Sequence, residues 1–219
     1  MLNQGFTFLL KGGPVMWPLF LCAIVSVTVI IERLLAQSAV SKASQGLVSK
    51  VRQALLQGDV SDTEHMLEAS SGPVAKVLLT GIKNRDLQRD QLEHLMEEVA
   101  IDEIPPLSRG LGILDTIITI APLLGLLGTV TGMIKAFQIV AVTSGTGAPA
   151  KITGGVAEAL IATATGLVIA IVTLVGYNHL SGGVKKIVSD MEAAATKVIN
   201  LLDQQKQSPR PLSANVAER

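Results

Sequence analysis

Charge is what this sequence has least of. Lys, Arg, Asp and Glu supply 16% of its 219 residues, against about 25% in a typical soluble domain. Apolar residues fill 48% of positions, and a soluble fold of this size could not cover that much apolar surface with so few charges. Basic and acidic residues balance at 18 each, which excludes nucleic-acid binding through bulk positive charge, and the apolar content excludes a disordered chain. At 3%, aromatic residues are too scarce for a platform that stacks nucleobases. One cysteine, Cys22, lies within an apolar run, which leaves no disulfide framework and no thiolate metal cluster. The composition is that of an integral membrane protein in contact with lipid.

Long uncharged runs locate the spans. Gly12 to Ile31 carries no charge and is bounded by Lys11 and by Glu32-Arg33; at about 1.5 Å per residue it crosses a hydrocarbon core of about 30 Å. Ala36-Gln37-Ser38 faintly resembles a signal-peptide cleavage site, but there is no basic segment before the run and Glu32-Arg33 intervenes, so an uncleaved span is expected. A second run lies between Asp115 and Lys135 and stays apolar to Val142. A third starts near Ile152 and carries one charge, Glu158, before Lys185-Lys186. The small, flexible segment from Thr143 to Ala150 makes the last two spans an antiparallel hairpin. Lys and Arg gather after the first span (Arg33, Lys42, Lys50, Arg52), before the second (Arg109) and after the third (Lys185, Lys186, Lys197). By the positive-inside rule these ends face the cytoplasm.

The expected fold class is therefore all-α: three transmembrane helices with an α-helical cytoplasmic region. The expected order is a periplasmic N-terminus (1–13), transmembrane helix 1 (14–35) and a cytoplasmic helical region (36–110). Transmembrane helix 2 with a cytoplasmic extension (111–142), a periplasmic linker (143–151) and transmembrane helix 3 (152–180) follow. A cytoplasmic helix (181–203) and a disordered polar tail (204–219) complete it. Within the cytoplasmic region Ser61 to Glu64 has capping-box spacing, and Ser71-Gly72-Pro73 marks a break and a new helix start. Leu92, Leu95, Met96 and Val99 form one apolar face, expected to pack between helices.

The second span contains Pro122, Gly125, Gly128 and Gly132; the third is rich in Gly, Ala and Thr, including Ala162 and Gly166. Lipid supplies no hydrophobic force between helices, so small residues that let backbones approach drive their association. Gly128 with Gly132, and Ala162 with Gly166, have small-xxx-small spacing. Tight packing, within one chain or between copies, is the plain reading of these positions.

Glu158 asks for more. A charge at the centre of a membrane helix costs about 2.5–3.5 kcal/mol and marks a polar path, a buried pair or an interfacial position. It lies about 9 Å along its helix from Ile152, and Lys135 lies about 10 Å from the same outer side, so an ion pair between them is possible. Thr129 and Thr163 both fall near mid-membrane, about 16–20 Å along their helices. Hydroxyls can solvate an ion or relay a proton, though a lone membrane threonine usually bonds to its own helix. No carboxylate lies at that depth, so a machine driven by protons would need a second protein to bring the titrating group.

These residues carry a resemblance. APLLGLLGTVTGMIKAF (Ala121 to Phe137) and GGVAEALIATATGLVIAIVTLVGYN (Gly154 to Asn178) resemble the two signature helices of the MotA/TolQ/ExbB proton-channel family. Three spans rather than four, and the opening run from Gly12 to Arg33, bring it closest to the ExbB/TolQ branch. The resemblance implies a pentamer in the bacterial inner membrane, enclosing a dimer of ExbD/TolR-type single-span partners that carry the titrating aspartate. It also implies coupling of the proton motive force to work at the outer membrane or envelope, through a TonB- or TolA-like protein. It places Thr129, Glu158 and Thr163 on the ion path. Two positions depart from the family pattern: Val172 stands where proline is frequent, which removes a source of a helix kink, and Lys135 stands where a neutral or weakly basic residue is expected.

An ExbB role and a TolQ role use the same chemistry, and threonine hydroxyls would serve sodium as well as protons. A passive scaffold for partner helices explains the small residues equally well but not the retention of Glu158. An enzyme has the least support. Gly145 to Lys151 only superficially resembles a phosphate loop, with Ala150 before the lysine and Ile152 after it. His65, His94 and His179 lack metal-ligand spacing, so neither a cofactor nor a metal is expected.

Overall fold

A computed structural model describes residues 12–44, 46–57, 60–142 and 148–207. The described residues are helices and turns, with no strand among them. The expected N-terminal segment (residues 1–11), most of the linker (143–147) and most of the tail (208–219) lie outside the described residues. In chain order the helices are α1 (Met16–Ser44), α2 (Leu47–Gln57), α3 (Val60–Ala69), α4 (Pro73–Lys83), α5 (Arg89–Asp102), α6 (Ile104–Ser108), α7 (Leu111–Val142) and α8 (Ala148–Gln207).

Local chemistry sets several of these boundaries. Gly13, with φ of 74°, turns the chain into α1, and its carbonyl accepts the first bond, from the Met16 N–H at 3.2 Å. Gly72, with φ of 128°, breaks the chain before α4, and Pro73 opens that helix where its missing N–H costs nothing. Ser61 lies inside α3, which already includes Val60, so it does not cap that helix. Gly182-Gly183 does not end α8. Leu180, Val184, Ile187 and Met191 are buried at spacings of three and four across it, and that burial outweighs the roughly 1 kcal/mol helix penalty of each glycine. The third apolar run and the helix expected after it are thus one continuous helix, and Val172 sits exposed within it.

The chain divides into two compact units, residues 1–35 with 108–182 and residues 36–107 with 183–219. The second has an apolar core under a charged surface. Val51, Leu55, Leu67, Val77, Leu78 and Ile82 are at most 1% exposed and meet Met191 and Val198 of α8. From the predicted apolar face of α5, Leu92 and Met96 are buried in this core and Val99 packs against it, while Leu95 is half-buried. Ion pairs such as Arg89–Asp203 at 2.6 Å and Lys76–Glu103 at 2.6 Å lie on its surface.

The first unit reverses this arrangement. Its buried positions include Ala121, Ala162 and Thr173, whereas Trp17, Leu21, Leu160, Val168, Ile171 and Val175 are each at least 60% exposed. Helices α1, α7 and α8 each contain a stretch long and apolar enough to cross a membrane. Over the described residues the protein is an all-α membrane protein with three such helices.

Candidate functional site

The site begins with the seam between α7 and α8. A Cβ on Gly125 would lie 3.0 Å from the Cα of Thr163 and 3.1 Å from the carbonyl oxygen of Ala162. One on Gly132 would lie 2.8 Å from the Ala159 Cβ and 2.9 Å from the Gly155 carbonyl oxygen. A Cβ on Gly128 would run into the Ala162 side chain, and one on Gly166 into the Ala121 carbonyl. The structure thus brings Gly125, Gly128, Gly132, Ala162 and Gly166 into one antiparallel seam. Ala121, Ala136, Gly155 and Ala159 extend it at both ends. Their signal in the sequence is continuation of the same three-and-four spacing. Pro122 lies inside α7 and is half-buried; lacking an N–H, it leaves the Ile118 carbonyl without its helical donor.

The seam fixes the level of the threonines. Gly128 lies against Ala162; Thr129 is one residue beyond the first and Thr163 one beyond the second, in antiparallel helices. Their levels therefore differ by about 3 Å along the helix axes. Both are half-buried, yet they bond differently. The Thr129 hydroxyl donates to the Leu126 carbonyl of its own helix at 2.7 Å, whereas the Thr163 hydroxyl donates across the seam to the Gly125 carbonyl at 2.8 Å. Thr131, Thr165 and Thr173 also donate within their own helices. Each engaged hydroxyl keeps lone pairs that can accept from a proton donor or ligate a cation.

Lys135 and Glu158 meet. The Lys135 Nζ donates to Glu158 Oε1 at 2.8 Å, with the two side chains 47% and 26% exposed. Gly13 lies directly against the Glu158 carboxylate, so that a Cβ there would overlap Oε1. Gly13 is a residue the sequence reading missed, and the Gly12-Gly13-Pro14 run before the first span was its only signal. Glu158 lies five residues before Thr163, about 7.5 Å along α8. The arrangement offers a half-exposed ion pair at one level and hydroxyl oxygens at another. Among the described residues no carboxylate stands at the threonine level of this seam to take up and release a proton.

The histidines do not join this site. His65 and His94 are exposed, each with Nδ1 3.9 Å from a glutamate on its own helix.

Residues 69–193 match the pattern of the MotA/TolQ/ExbB proton channel family. A Synechocystis protein named as ExbB-like 1 is 37% identical over 174 residues, covering 78% of this chain and 68% of that protein. The biopolymer transport protein exbB1 of Vibrio cholerae is 32% identical over 176 residues, covering 77% of this chain and 75% of its own. Biopolymer transport protein ExbB of Neisseria meningitidis serogroup A is 26% identical over 213 residues, spanning 89% of this chain and 95% of the relative.

Proposed function

Because the chain belongs to the MotA/TolQ/ExbB proton channel family, on its ExbB branch, we propose that it is the ion-conducting subunit of an inner-membrane motor. In this reading the proton motive force drives biopolymer transport at the outer membrane. The subunit works as a pentamer around a dimer of ExbD/TolR-type single-span partners, which pass the motion to a TonB-like protein. The basic residues after α1, before α7 and within α8 put those ends in the cytoplasm and the α7–α8 linker in the periplasm.

The observation that carries the reading is the Thr163 hydroxyl, bonded across the seam to Gly125 at 2.8 Å and within about 3 Å of Thr129 in level. Two hydroxyls at one depth of a small-residue seam give an ion oxygen partners where the hydrocarbon gives none. Thr129 and Thr163 form the inner part of the path, and Glu158 draws cations to its outer part. Lys135 holds the Glu158 carboxylate in place and offsets part of its charge, which lowers the cost of keeping it in the membrane. Neither threonine holds a proton at ordinary pH, so the titrating carboxylate comes from the partner helix.

Proton uptake into vesicles holding this chain and its ExbD-like partner tests the reading, comparing the unaltered chain with Thr163→Val. Native mass spectrometry first establishes that both assemble to the same extent. Uptake falling at least tenfold in the variant, with assembly intact, supports the path. Equal uptake overturns the role of Thr163. No proton uptake by either, with sodium uptake in its place, identifies a sodium-driven version, and neither flux leaves a passive scaffold.

A further inference from the structure

Helix α8 presents two unlike grooves in the unit formed by residues 36–107 and 183–219. One, of about 330 Å³, has an apolar floor that includes Met96, Met191 and Ile199, and is rimmed by Glu93, Glu97 and Glu192 with no lysine or arginine in its lining. The other, of about 310 Å³, contains Lys186 and Lys197 against one carboxylate, Asp190, with Ser41 and Ser44 of α1 at its edge. Among the described residues Glu93, Glu192, Lys186 and Lys197 make no ion pair, and Glu97 has only His94 Nδ1, at 3.9 Å. Ile101, at the acidic groove, is 56% exposed.

Position along α8 gives these grooves their meaning. At about 100° per residue, the α8 residues of the acidic groove and those of the basic groove point roughly 170° apart. They flank the buried stripe of Met191, Ala194 and Val198 on its two sides. They also stand at the same height: the acidic groove takes α8 residues from Val188 to Ile199, the basic one from Lys186 to Lys197. Opposite charges on opposite faces of one subunit suit head-to-tail contact, not a two-fold pair. Equal height is what closes such a contact into a ring, because copies related by rotation about the membrane normal have no axial offset; unequal heights would give an open helix.

We infer that the acidic groove between α5 and α8 docks the basic Lys186–Lys197 face of the next copy of this chain, and that this contact closes the ring. The inference rests on the proposed membrane assembly, in which all copies share one orientation. Docking pairs the carboxylates with ammonium groups and covers Ile101.

The test uses the full chain in its membrane with the partner present. Cys22 is the only cysteine, so Cys22→Ser gives a clean background. Two differently tagged chains, one with Glu192→Cys and one with Lys197→Cys, are co-expressed and treated with a short bismaleimide. A crosslinked dimer bearing both tags, with no crosslinking of either chain expressed alone, is the expected result. Crosslinking of Glu192→Cys to itself shows a two-fold contact and overturns the inference. A second arm reverses the charges. Glu93→Lys, Glu97→Lys and Glu192→Lys in one chain, and Lys186→Glu with Lys197→Glu in another, each reduce the oligomer at least tenfold alone. Combining all five changes in one chain restores it, because every contact around the ring then carries the same charge pairs with their signs exchanged. The loss narrows in about 1 M salt, where screening shortens to about 3 Å. An oligomer that conducts protons yet shows neither mixed crosslinks nor charge sensitivity overturns the face assignment and leaves the motor reading standing. Such an outcome opens the groove to a basic segment of another protein. Mixed crosslinks without ion flux have the opposite meaning.

Discussion

The two units of this chain solve the packing problem in opposite ways. In the unit built from residues 36–107 and 183–219 the large side chains, Leu55, Leu78 and Ile82 among them, are buried, and charged side chains cover them. In the unit built from residues 1–35 and 108–182, glycine, alanine and threonine occupy the α7–α8 contacts while large side chains such as Leu160, Val168, Ile171 and Val175 face outward, and only a few, Leu19 and Leu114 among them, are buried. Water makes burial of large apolar groups the driving force in the first case. Where lipid is the solvent, moving a leucine from outside to inside gains little, and close backbone contact takes over. The same helix, α8, obeys both rules along its length.

That contrast sharpens under substitution. The largest effect is expected at Gly166, where any side chain meets the Ala121 backbone, which cannot step aside. Gly166→Leu should cost more than about 4 kcal/mol, the range reserved for severe packing faults. The variant should fail to give a monodisperse oligomer by size-exclusion chromatography in detergent; a well-behaved oligomer would show that the seam is not needed. In the other unit the damaging change runs from large to small. Leu78→Ala, at a fully buried position, should cost about 2–5 kcal/mol, seen as a lowered thermal midpoint with the oligomer still formed at low temperature. Leu167, 47% exposed in α8, is the matching control: Leu167→Ala should stay within about 0.5 kcal/mol.

A smaller effect is expected at the Lys135–Glu158 pair. Lys135→Met leaves the carboxylate uncompensated and should lower the thermal midpoint more than the double change Lys135→Met with Glu158→Gln. A double variant as unstable as the sum of the two single changes would show that the 2.8 Å contact carries no coupling.

The smallest effect belongs to the Glu68–Lys83 surface pair, at 2.7 Å. The hydrogen bond from the Lys83 ammonium, and then its charge, lower the Glu68 pKa; the same bond and charge of Glu68 raise that of Lys83. A depressed carboxylate contributes stability above its unfolded value and loses it as pH falls through the folded one. A raised lysine contributes below its unfolded value and loses it as pH rises through the folded one. The pair therefore helps between the carboxylate and ammonium ranges, weakly because it is exposed and screened. Titration of Glu68 by NMR should show its pKa rising on Lys83→Met; no change would mean the contact is absent in solution.

Much of the span unit was legible in the sequence because its determinants are local. Uncharged length marks a crossing helix, and glycines at spacings of three and four mark a seam. Counting helical rise from the ends of the runs was enough to bring Lys135 and Glu158 to one level. What stayed hidden depends on relative rotation of helices, which residue counting does not contain. That Thr163 bonds across the seam while Thr129 bonds within its own helix follows from which way each helix face is turned. The Gly13–Glu158 contact joins positions 145 residues apart, with no pattern to link them. The continuity of α8 was obscured because the third apolar run gives way to Lys185-Lys186, which set the expected boundary between residues 180 and 181, whereas the buried stripe runs on through it.

Trp17 is the only tryptophan in the chain and stands 68% exposed in the first turn of α1. Excited at the red edge of its absorption band, where Tyr177 does not absorb, it reports from one point of the molecule with no dye attached. On insertion into vesicles its emission shifts to the blue, and lipids carrying a quencher at known depth read out how far that turn sits below the headgroups. In the proposed motor, a ring that turns or tilts as ions flow would move this residue through a gradient of polarity, and the chain would then carry its own optical gauge of the cycle.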